Sequence, residues 1–317
     1  MTRSSRLSRP DTSRRRNAVD TAVDAGATRP GYTGIKHILA CIDGTDNDPA
    51  VLDHALAVAL RFVSHIDVLH VRFDVHGVSA GGGDERHGDR LLDVPVERAV
   101  TEAGARARRH FEEWQAQCGL PVLEAGAADP GPSTLWREIL GYESDVVARL
   151  GRLSDVIVIA RPNQRSSSSS LMALETALFD TGRPVLMVPD RPAADLFHRP
   201  LVAWNGSLEA ARAVGFALPF LAESEGGVDV LAAPERKHRT ETEELLRYLS
   251  AHGIVAQRVP VQDPRPVAIG LLGHASASRA GLVVMGAYTH GHYRQFFFGG
   301  VTRYVIEHAA VPVLLAH

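Results

Sequence analysis

Along residues 34–317, apolar runs of about five residues alternate with longer stretches in which apolar positions recur every three to four residues. The short runs, bounded by Gly, Pro, Asp or Asn, read as buried strands. The longer stretches carry the 3.6-residue period of helices, and their regular alternation predicts βα units around a parallel sheet. In the first half the pattern predicts strands over residues 36–42, 66–72, 121–125, 155–160 and 184–188, with helices over 49–64, 94–118, 135–153 and 171–179. In the second half it predicts strands over 200–204, 228–232, 254–259, 281–285 and 311–315, with helices over 208–222, 241–252, 265–278 and 301–308. Helix starts are marked by Asp48-Pro49, read as an N-cap and first-turn proline, and by Ser207 with Glu209.

The two halves repeat one another. Ile38-Leu-Ala-Cys-Ile-Asp-Gly-Thr45 returns as Pro200-Leu-Val-Ala-Trp-Asn-Gly-Ser207, and the match runs without a gap to Asp67-Val-Leu69 against Asp229-Val-Leu231. Val156-Ile-Val-Ile-Ala160 with Arg183-Pro-Val-Leu186 likewise returns as Leu282-Val-Val-Met-Gly286 with Val311-Pro-Val-Leu314. Two copies imply tandem domains and argue against a solenoid. The expected division is a tail over 1–33, one domain over 34–190, a short stiff linker with Pro189 and Pro192, and a second domain over 198–317. The first half is the longer, and its excess is expected between its second and fourth strands, where Gly81-Gly-Gly83 suggests an exposed loop. Each half ends in a short apolar strand that would be an exposed edge alone, so the halves are expected to pack as an internal pseudo-dimer through those strands.

Composition refines this picture. Hydrophobic residues make up 45% of the chain, ample for two cores, and no apolar run has the roughly 20 residues of a membrane span. A cytoplasmic protein without membrane attachment is expected. The net charge of −3 conceals a basic tail containing Arg3, Arg6, Arg9, Arg14, Arg15, Arg16 and Arg29, which has too few apolar residues to order itself. The body is mildly acidic and lacks an aromatic-basic stripe, which excludes nucleic acid as an expected partner. Two cysteines, Cys41 and Cys118, suit a reducing compartment and read as inert packing residues.

In a doubly wound sheet, ligands sit beyond the carboxyl ends of the strands. After the first strands come Asp43-Gly44-Thr45 and Asn205-Gly206-Ser207. Each offers a polar side chain for a base or ribose, a glycine for close backbone approach, and a hydroxyl for a helix cap or phosphate. The same residues also suit an ordinary turn. After the fourth strand of the second half come Gly286-Ala-Tyr-Thr289, nine residues, then Gly299-Gly300-Val301-Thr302, where free amides at a helix start make an anion site, with Arg294 and Arg303 in reach. His290-Gly-His292 lacks a third ligand nearby, and no metal is expected. The run Ser166–Ser170 reads as a surface loop.

On these residues the chain resembles the universal stress protein family in tandem form, over about residues 34–317. The resemblance implies two doubly wound, five-stranded parallel-sheet α/β domains of Rossmann-like or flavodoxin-like type. It also implies a non-enzymatic stress-response role, with an adenine nucleotide (ATP or AMP) held weakly or only vestigially. The family's nucleotide pattern is an aspartate after the first strand, then glycine, two residues, glycine, nine residues, and glycine followed by serine or threonine. Thr289 stands at the second glycine, Gly300 at the hydroxyl and Asn205 at the aspartate. Asp43 fits in the first half, but Ala160-Arg-Pro-Asn163 replaces its glycine loop. An interaction scaffold is the alternative, and a homodimer or protein partners would be compatible with either. An enzyme of the nucleotide α-hydrolase type is a weaker alternative, because neither a Ser-Gly-Gly loop nor a His-x-Gly-His signature occurs.

Overall fold

The apolar runs become strands in both halves, and the computed structural model describes residues 34–74, 90–123, 131–162, 168–191, 195–232, 236–260, 266–287 and 300–317. The basic tail, Gly81–Gly83 and the centre of the linker lie outside the described residues. The first half runs β1 (His37–Cys41), α1 (Asp48–Phe62), β2 (His65–Phe73), α2 (Arg90–Cys118), β3 (Ser133–Gly141), α3 (Glu143–Gly151), β4 (Val156–Ala160), α4 (Ser168–Asp180) and β5 (Val185–Val188). The second runs β6 (Leu201–Trp204), α5 (Leu208–Ala222), β7 (Val228–Ala232), α6 (Arg236–Ala251), β8 (Ala256–Val259), α7 (Val267–Ala277), β9 (Val283–Gly286), α8 (Gly300–His308) and β10 (Val313–Ala316).

All these strands join one sheet in the order β3-β2-β1-β4-β5-β10-β9-β6-β7-β8. Within each half the strands are parallel and the order is the same, third-second-first-fourth-fifth. The halves meet where β5 and β10 pair antiparallel, with Met187 opposite Val313, Leu186 opposite Leu314 and Val185 opposite Leu315. All six side chains are buried. Because successive residues of a strand point to opposite faces, this seam feeds two cores that each run through both halves. On one face Ile38, Val68, Leu186 and Leu314 pack with α1, α2, α5 and α6. On the other Leu39, Ile157, Met187 and Val313 pack with α3, α4, α7 and α8. The linker contributes more than spacing, since Leu196 and Phe197 enter the first core and Phe197 contacts the rings of Phe62 from one half and Phe220 from the other.

Three expectations are corrected. The third strand is β3, not residues 121–125. Among the described residues of that predicted strand, 121–123, Val122 alone bridges, onto Thr134 at the outer edge of β3. Residues 135–141 are strand where a helix was expected, and the helix α3 is confined to Glu143–Gly151. Asp48 is not the N-cap of α1. Asn47 holds that place without a side-chain cap bond, and Asp48 lies in the first turn. Ser207 does cap α5, its hydroxyl accepting from the Ala210 amide at 3.1 Å. The extra length of the first half appears partly in α2, at 29 residues against 16 for α6, and in β3, at 9 residues against 4 for β8.

Candidate functional site

Both polar triplets sit where the βα architecture places them, at the carboxyl ends of β1 and β6. In each, an Asx turn folds the side chain back: Asp43 Oδ1 accepts from the Thr45 amide and Asn205 Oδ1 from the Ser207 amide, both at 3.1 Å. The central glycines share a left-handed conformation, with φ of 81° at Gly44 and 72° at Gly206. Beyond this the halves diverge.

In the first half the turn is filled from within the chain. The amides of Asp43 and Gly44 donate to the Asp48 carboxylate at 3.1 and 3.0 Å, and His110 Nδ1 of α2 lies 2.9 Å from the same carboxylate. The second oxygen of Asp43 accepts from the Ser170 hydroxyl at 3.2 Å. Ser168–Ser170 thus begin α4 and do not form a loop. Helix α2 lies directly on the turn: a Cβ on Gly44 would stand 2.2 Å from the Ala103 carbonyl oxygen, and Arg106 Nε donates to the Gly44 carbonyl at 2.9 Å. Burial pushes the Asp48 carboxyl up to about 6. The His110 hydrogen bond opposes that rise and the Asp43 charge adds to it. After β4, Arg161 takes the place of a glycine loop and donates across the seam to the Glu307 carbonyl at 2.6 Å, in the last turn of α8, where a cation meets the negative end of the helix dipole.

In the second half the corresponding turn is more open, with Asn205 and Gly206 exposed and the Glu241 carboxylate of α6 lying against Gly206. Ala210 stands where Asp48 stands in the first copy, so no carboxylate captures the turn amides from that position. Gly286, at the end of β9, has a packing reason of its own, because a Cβ there would lie 2.5 Å from the Ala210 amide nitrogen at the start of α5. Thr289 and Gly299 lie outside the described residues, as do Arg294, His290 and His292. At the start of α8, Gly300 and Val301 are exposed, whereas Thr302 is buried beside Val305 and Ile306. The structure therefore brings Asn205, Gly206, Ser207 and Gly286 together at one end of the sheet and turns Thr302 inward. Burial pushes the Cys41 thiol up, with the Glu143 charge adding to the rise, in keeping with packing and not reactivity.

Two groups escaped the sequence reading. Asp48 and His110 fill the first turn from α1 and α2. At the opposite end of the sheet, Asp67 and Asp229 are buried carboxylates in equivalent positions of β2 and β7. Asp67 receives Arg137 Nη1 at 2.7 Å and lies 3.2–3.3 Å from the Nε2 atoms of His65 and His37. Asp229 receives Gln257 at 2.8 Å and Arg199 at 3.1 Å, with His274 Nε2 at 3.2 Å. Burial alone would raise both carboxyls, but these partners hold both below the usual carboxylate range. The gapless repeat was the available signal, since it aligns Asp67 with Asp229 and His37 with Arg199.

Residues 197–317 match the model of the universal stress protein family. The second half is a universal stress protein domain. The first half repeats its strand order, so the chain is a tandem of this fold. A universal stress protein from Archaeoglobus fulgidus DSM 4304 superposes with a TM-score of 0.65 at 18% identity, covering 90% of this chain and 97% of that one. A functionally unknown protein from Pseudomonas aeruginosa PAO1 gives a TM-score of 0.49 at 15% identity, covering 89% and 92%. These likenesses concern the fold. No curated protein matches the sequence. No helix among the described residues is long and apolar enough to cross a membrane.

Proposed function

We propose that the chain is a tandem universal stress protein, a non-enzymatic stress-response module of the cytoplasm, in which only the second domain keeps a weak adenine-nucleotide site. Residues 34–190 and 198–317 are the two domains of this reading. The observation that carries it is the asymmetry of the two equivalent turns. In the first, Asp48 takes the amides, Ser170 takes Asp43, and α2 covers Gly44. In the second, Asn205 and Gly206 are exposed, and Gly286 at the end of β9 packs against the start of α5. In this reading the base lies near Asn205 and the phosphates near Gly299 and Gly300, and ATP or AMP is the expected class.

Weak binding follows from the departures in the loop. Threonine at 289 costs roughly 1–2 kcal/mol if the glycine conformation is needed there, and a missing phosphate-bonding hydroxyl at 300 costs about 1.5–3 kcal/mol. Each 1.4 kcal/mol is about tenfold in affinity. No described residue lies in the Cβ direction of Gly300, so a serine side chain fits there without displacing any of them. Titration calorimetry with ATP and AMP tests the reading. The unaltered protein should bind well above the low micromolar range, Thr289→Gly with Gly300→Ser should tighten ATP at least about tenfold, and Asp43→Ala should leave affinity unchanged. Low micromolar binding by the unaltered protein, or a double variant with no gain, would refute the assignment to this loop.

A further inference from the structure

At the amino ends of β1 and β2, opposite the nucleotide turns, two imidazoles and a carboxylate converge. His37 opens β1, His65 opens β2, and the two are register partners. Asp67 lies two residues beyond His65, so the period of two puts all three on one face. His37 Nε2 stands 3.3 Å from one Asp67 oxygen and His65 Nε2 stands 3.2 Å from the other. One donor atom from each residue fits within a 4.8 Å span. We propose that His37, His65 and Asp67 form a binding site for a divalent transition-metal ion of the zinc class.

Four observations lead there. First, two nitrogens and one oxygen are the donor set that zinc, cobalt and nickel favour over magnesium or calcium. Second, metal–ligand bonds of about 2.0–2.1 Å in a tetrahedron set its ligand–ligand edges at about 3.3–3.4 Å. The observed separations, 3.3 Å from His37 and 3.2 Å from His65 to the two different oxygens of Asp67, fall near that edge, at the long end of the 2.7–3.2 Å range of an N–H···O bond. Third, two of the three donors have the outer partners that orient metal ligands: His65 Nδ1 lies 2.9 Å from the Ser133 hydroxyl, and Arg137 holds one Asp67 oxygen at 2.7 Å, whereas His37 Nδ1 has no partner among the described residues. Fourth, the second domain shows that a buried aspartate here needs no pair of imidazoles. Arg199 stands in the place of His37 and, with Gln257 and His274, satisfies Asp229. In the first domain Arg137 already supplies the counter-charge, so His37 and His65 exceed what neutralising Asp67 requires. Asp67 is 4% exposed and the two imidazoles are 33% and 24% exposed, which gives an ion a route in and leaves a fourth position for water.

The test uses the full chain without a histidine tag, titrated with Zn²⁺ by calorimetry and with Co²⁺ by visible absorption. One ion per chain, a tetrahedral cobalt spectrum and a zinc-dependent rise in melting temperature are expected. His37→Arg copies the second domain and should keep the metal-free melting temperature, while lowering zinc affinity by more than the about 10- to 100-fold that an outer-shell partner is worth. His65→Ala should act in the same direction. His274→Ala, and the pair His290→Ala with His292→Ala, should leave zinc affinity unchanged. The proposal is overturned if the unaltered protein shows no saturable zinc binding, if binding survives His37→Arg with His65→Ala, or if the His290/His292 pair abolishes it.

Discussion

Asp48 shows how one residue closes a site. Its carboxylate is 1% exposed and accepts from the amides of Asp43 and Gly44, whereas the second domain has Ala210 in its place. With a folded-state pKa of about 6 against an unfolded value near 3.9, its ionisation is disfavoured in the folded protein. The sign follows from linkage. This group costs nothing below about pH 4, its cost accrues between about pH 4 and 6, and above that it stays level at about 3 kcal/mol. Carbon-detected NMR should place the Asp48 titration midpoint near 6, and a midpoint below 4.5 would contradict the burial argument. The two turn glycines offer a second contrast. Alanine at either position must adopt positive φ, at about 1 kcal/mol. At Gly44 the new methyl also meets the Ala103 backbone, whereas at Gly206 it meets only the end of the Glu241 side chain. Urea unfolding should therefore show Gly44→Ala costing about 2–4 kcal/mol and Gly206→Ala about 1 kcal/mol.

At the scale of elements, periodicity located most helices and strands but failed at β3, for a physical reason. Leu135, Trp136, Ile139 and Leu140 repeat at the spacing of a helix face. In the sheet, Trp136 turns to the α2 side, against Phe111 at 5.3 Å and stacked on His70, while Ile139 packs into the opposite core. A strand with apolar contacts on both faces loses its alternation and imitates a helix. Only pairing decided the outcome, because β2 offers nine register partners from His65 to Phe73. The candidate site was legible to a similar degree. Asp43, Asn205 and their glycines were marked by the repeat, but α2 is 29 residues long and its Ala103, Arg106 and His110 reach the first turn from some 60 positions away, which no local pattern reports.

For the whole molecule, the decisive feature is the β5–β10 seam, which turns two five-stranded sheets into one. Leu314 is fully buried opposite Leu186, within a core shared by both halves. Leu314→Ala should cost about 2–5 kcal/mol. Because the cores are continuous, calorimetry should show one unfolding transition for both halves at a lowered temperature, and two separate transitions would mean that the halves are energetically independent. The sequence by itself determined the α/β class, the twofold repeat and the position of the polar turns. These depend on local periodicity and on self-similarity, which a linear chain carries. The tertiary structure alone decided that one turn is filled and the other open, and that His37, His65 and Asp67 meet. Those outcomes depend on which distant side chains the packing brings within a few ångströms, and contacts of that kind leave no period along the chain.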